Sequence, residues 1–112
     1  MTTPAVHRDM AAGRWHTLSL AEQMGNIGSE VDRAIRARTR GDHERWEHAF
    51  GRALELFDLT AADARWRGAR RREHLRAREL FCSLFHGDAP ATGDAEFLSR
   101  YFLQFAVAAR RN

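Results

Sequence analysis

Ser19–Arg40, SLAEQMGNIGSEVDRAIRARTR, is the stretch whose pattern decides the fold. Ser19 and Glu22 stand three residues apart at its start, the spacing of a capping box, in which a hydroxyl and a carboxylate satisfy the first free helix amides reciprocally. Leu20, Met24, Ile27, Val31, Ala34 and Ile35 then recur at intervals of three and four, the period of one apolar helix face. Gly25 and Gly28 interrupt the run without breaking its period, as small residues do where another helix packs closely. Gly41-Asp42 stops the helix, and Asp42 is placed to cap a second one.

Downstream, the same period repeats. Trp46, Ala49, Phe50, Ala53, Leu56 and Phe57 share one side of a second helix that stops near Leu59. A third, over about residues 64–86, carries Trp66, Ala69, Ala77, Leu80 and Leu84 on one stripe and is closed by Gly87. The longest loop signal, Gly87 to Gly93, includes Pro90. Asp94 then caps a fourth helix that turns Phe97, Leu98, Tyr101, Phe102, Phe105 and Ala109 inward. Strand-like alternation and hairpin turns are missing. Four helices joined by short loops predict an all-α, up-down antiparallel four-helix bundle over residues 15–112, with residues 1–14 as a flexible leader.

Size and composition agree with one core. The chain has 112 residues, 44% of them hydrophobic and 29% charged, which is the balance of a globular domain. Its longest apolar runs fall far short of a membrane span, and residues 1–15 lack the apolar core of a secretory signal. Cys82 is the single cysteine and has no partner for an internal disulfide or a zinc site. A cytoplasmic protein without metal or cofactor is expected.

All 18 positive charges are arginines, set against 15 acids. Residues 1–60 hold eight arginines and nine acids, and residues 79–112 hold three and four. The surplus lies in residues 61–78, with seven arginines and two acids. Arg65, Arg72 and Arg76 flank one side of the third stripe and Arg67, Arg71 and Arg78 the other. Arg65, Arg71, Arg72 and Arg76 are therefore the candidate phosphate contacts, with RNA as the partner they would meet.

Three further positions stand out. Glu73 falls at the centre of the third stripe, where a carboxylate needs a partner; bundle levels bring it to Tyr101, so the two are the candidate buried polar pair. His43, Glu44, Glu47 and His48 crowd one helix start, but no Glu-x-x-His motif supports a di-metal site, and an acid cluster favoured by the helix dipole is expected. Leu103 and Val107 extend the apolar surface of the fourth helix beyond its core stripe, which marks them as a candidate oligomer interface, most simply of a two-fold homodimer.

Gly41 to Leu59, GDHERWEHAFGRALELFDL, resembles the second helix of HEPN-type domains, prokaryotic helical bundles. The segment from Trp15 to Phe85 is similar to small uncharacterised bacterial helical proteins carrying Asn-Ile-Gly-Ser-Glu-Val, here Asn26 to Val31. The HEPN resemblance implies a metal-independent RNase, often dimeric and paired with a nucleotidyltransferase antitoxin, that carries an arginine followed after four to six residues by a histidine. Arg36 or Arg38 with His43 matches that spacing, as does Arg67 with His74, the better pair for a catalytic role. The residues themselves point first to a non-enzymatic, homodimeric interaction protein, accessory to a larger bacterial system through a protein partner. An RNA-acting protein is the alternative, and a ligand-binding bundle with Glu73 and Tyr101 as its polar groups comes third.

Overall fold

The computed structural model describes residues 13–85 and 92–111. These are all-helical, with no strand among them: α1 (Trp15–Thr17), α2 (Leu20–Thr39), α3 (His43–Ala61), α4 (Ala69–Leu84) and α5 (Thr92–Arg111). Most of the leader and the Gly87–Pro90 loop lie outside the described residues.

The capping box forms: the Glu22 amide donates to Ser19 Oγ at 3.1 Å and the Ser19 amide to Glu22 Oε1 at 2.9 Å. Gly41, at φ 76°, ends α2 in the left-handed region. The amides of Asp42 and Gly41 donate to the carbonyls of Ala37 and Arg38, satisfying orphan acceptors of the last turn. Asp42 Oδ1 then accepts from the Arg45 amide at 3.2 Å, so one short turn closes α2 and opens α3.

α2 is the central element and packs most extensively on α3 and α5. The pairs Glu30–Arg52 and Arg38–Trp46 run in opposite order along α2 and α3. Ser99 bonds Asp32 while Ala106 lies against Gly25, so α5 is antiparallel to α2 as well. Phe57–His74 and Phe50–Phe81 give α4 the same relation to α3. The core between them is Trp15, Met24, Ile27, Val31, Ala34, Ala49, Ala53, Leu56, Phe57, Ala77, Phe81, Leu84, Leu98 and Phe102. Arg38 lies over the Trp46 and Phe85 rings, themselves stacked at 5.2 Å, and covers one end of this core with its guanidinium.

Three expectations about the helices need correction. The fourth helix begins at Thr92, so Asp94 lies in its first turn rather than at its cap. The third helix begins at Ala69 rather than near residue 64. Asp63 Oδ1 accepts from the Arg65 amide at 3.0 Å, a side-chain turn that competes with helix, and Gly68 enters α4 at φ 61°. Phe97, predicted to face inward, is 54% exposed and stacks on Tyr101.

Candidate functional site

The four arginines predicted as a phosphate-binding group occupy different settings. Arg65 lies on the turn before α4 and is committed to the fold: Nη2 donates to Asp63 Oδ2 at 2.7 Å and to the Leu18 carbonyl at 2.8 Å. Asp63, 6% exposed, is the hub of a buried polar knot. Gln23 Nε2 donates to Asp63 Oδ2 and to the Trp15 carbonyl, and Gln23 Oε1 accepts from Trp66 Nε1 at 2.7 Å. Trp15 Nε1 in turn donates to Thr60 Oγ1 at 3.0 Å. The guanidinium and amide of Arg65, with Gln23 and His16, hold the Asp63 carboxyl well below its usual range. Arg71 Nε reaches back to the Ala61 carbonyl, whereas Arg72 and Arg76 stand exposed on α4.

Glu73 is exposed rather than buried, because α4 turns the next residue, His74, into the core. Tyr101 Oη donates to Glu73 Oε1 at 2.6 Å. Burial, and then the carboxylate beside it, raises the phenol above its ordinary pKa. His74 is 3% exposed; its Nε2 donates to the Phe57 carbonyl at 2.8 Å while the buried Nδ1 finds no partner among the described residues. Burial lowers its pKa and so favours the neutral ring in the fold. Arg67 meanwhile sits on the turn, bonded to the Ala64 carbonyl. The Arg67–His74 spacing therefore does not present a histidine at the surface. Arg70, Glu73, His74, Tyr101 and their apolar neighbours Leu20, Met24 and Phe105 line a cleft of about 250 Å³, below the usual size of a small-molecule pocket.

At the start of α3, His43 bonds Trp46 Nε1 through Nδ1 and lies 3.1 Å from Glu47 through Nε2. Among the described residues no three His, Cys, Asp or Glu side chains converge as a metal site would need. No helix among them is long and apolar enough to cross a membrane.

The outer face of α5 is different in kind. Leu103 is 55% exposed, and with Phe97 it makes up the exposed large hydrophobics among the described residues. Leu103, Val107 and Ala108 line a shallow depression between Arg100, Gln104 and Arg111.

Sequence reading missed a second surface. Arg33 and Arg36 of α2, with Arg40 at its C-cap, face Arg45, His48 and Arg52 of α3 across an open cleft of about 800 Å³, floored by Ala37 and Ala49. Both rows keep the same spacing, three residues and then four, which brings each onto one helix face. That double spacing was the available signal.

No protein-family model, curated protein or solved structure matches this chain.

Proposed function

We propose that the chain is a non-enzymatic interaction protein, an up-down four-helix bundle that works as a two-fold homodimer through α5. The observation that carries this reading is the exposure of Leu103 at the middle of a seven-residue repeat. Glu96, Leu103 and Arg110 stand at equal intervals and share one face to within about 20° per heptad. If two copies of α5 lie antiparallel about Leu103, each Glu96 meets the partner's Arg110, so the charges are self-complementary under two-fold symmetry. Glu96 and Arg110 make no ion pair with any described residue in the monomer. Leu103 and Val107 supply the apolar centre, and the helix offers about 30 Å of length for it.

The polar groups elsewhere support contact over catalysis as the mode of action. Asp63, Gln23, Thr60, Glu30 and His74 are buried and hydrogen-bonded within the fold. An accessory role beside a larger bacterial partner belongs to the same reading, as does a cytoplasmic setting, which suits a lone thiol at Cys82.

Sedimentation equilibrium tests the proposal. The chain is expected to be a dimer at micromolar concentration, and Leu103→Asp to weaken it on the order of 100-fold, because each half of the interface loses one buried leucine. A monomer at all concentrations rules the dimer out.

A further inference from the structure

We infer that the arginine cleft between α2 and α3 is a binding site for the sugar–phosphate backbone of a nucleic acid. Its construction differs from a solvated charged face. Ala37 and Ala49, each 2% exposed, let the two helices approach, and the long side chains on either side stand as walls around the small floor. Five arginines and His48 line the cleft against two carboxylates, Asp42 and Glu44, so the lining is net positive.

The ion pairs sort these arginines by availability. Arg33 and Arg52 converge on Glu30, which is 7% exposed, at 2.7 and 3.1 Å. Arg45 leans on Asp42 at 3.4 Å. Arg36 in the last turn of α2 and Arg40 at its C-cap are both exposed and make no ion pair with a described residue. Two unneutralised guanidinium groups therefore stand beside a pair fixed by a buried carboxylate, which is a framework with open valence.

The chemistry of the walls names the ligand class. Planar guanidinium forks match phosphate oxygens with paired hydrogen bonds, and a concave cationic wall concentrates the field on an anion. From Arg33 to Arg40 the row spans about 10 Å, room for more than one phosphate. The cleft is lined by no Phe, Tyr or Trp to stack a base, and His48 is its single ring. Binding through it is therefore independent of sequence, shared by RNA and DNA, and steeply dependent on salt.

The test is fluorescence anisotropy of a short labelled single-stranded RNA, and of DNA of the same sequence, with the full chain. The site predicts binding of both at about 50 mM salt that fades by 200 mM. Arg36→Glu with Arg40→Glu should weaken it at least about tenfold and lower the salt slope by about 1.4, as two phosphate contacts to a single strand are lost. The equal reversal Arg72→Glu with Arg76→Glu, on α4, should change it by less than about threefold. If thermal melts show the first variant to be unfolded, Arg36→Gln with Arg40→Gln replaces it with the same direction of effect. Equal losses from the α2 and α4 reversals would overturn the assignment. So would displacement of the RNA by polyglutamate as effective as by unlabelled RNA, or absence of binding at the lower salt.

Discussion

A β-carbon placed on Gly28 would lie 2.5 Å from Cβ of Phe102. That approach sets how closely α5 lies on α2, since Phe102 is 2% exposed and in van der Waals contact with the glycine's backbone region. Gly28→Ala is expected to destabilise the fold by about 1–3 kcal/mol, as overpacking does, although alanine is the better helix former. Gly51→Ala is the control: nothing lies within 4 Å of its β-carbon, and a gain of roughly 0.5–1 kcal/mol is expected. Chemical denaturation of the two variants gives shifts of opposite sign.

Asp63 ties α1, α2 and the turn before α4 into one unit. Asp63→Asn should leave Arg65 and Gln23 poorly partnered and cost about 1–3 kcal/mol, since Arg65 is partly exposed and part of the pair's energy is screened. The folded-state pKa is lowered, so this stability is fully present above the ordinary carboxylate value and is lost as pH falls below about 4. Melting curves from pH 5 down to 2 should fall steeply for the native chain and more gently for Asp63→Asn.

His74 gives a separate pH window. Its folded pKa is depressed by burial, so above about pH 6.5 both folded and unfolded rings are neutral and stability is unaffected. Below that, the unfolded chain takes up the proton first and stability falls until the depressed folded value is passed. His74→Gln, which can still donate to the Phe57 carbonyl, should flatten the slope between pH 7 and 5.

Tyr101 is the single tyrosine of the chain, so its ionisation is read directly from ultraviolet absorbance. The native phenol should titrate above the ordinary value of about 10, or only as the fold opens in alkali. Glu73→Gln removes the anionic acceptor and should bring the midpoint down while changing stability by less than about 1 kcal/mol, because Glu73 is exposed.

Much of the fold was legible from local chemistry. Ser19 with Glu22, Gly41 with Asp42, and the three-four period of α2 and α3 all act within a few residues, and the helices follow them. The start of α4 was not legible, because Asp63 turns the backbone by its own side chain and Gly68 takes a left-handed φ inside an arginine-rich run that looks helical. That error carried to the site. Counting Trp66 and Ala69 into the stripe centred it on Glu73, whereas Phe81 anchors it on His74, Ala77 and Leu84, one residue further round. The arginine cleft escaped for another reason. Charge summed over residues 1–60 is near zero, yet the fold segregates Arg33, Arg36, Arg40, Arg45 and Arg52 onto one pair of facing walls.

The most direct measurement of the dimer is a charge exchange across its proposed axis, read by sedimentation equilibrium. Glu96→Arg sets two like-charged pairs against each other and should weaken association by about tenfold. Adding Arg110→Glu to the same chain restores opposite charges in the antiparallel arrangement and should recover the native dissociation constant to within about threefold. An exchanged double variant that associates no better than Glu96→Arg alone, or a Glu96→Arg variant with unchanged association, would contradict the antiparallel α5 dimer.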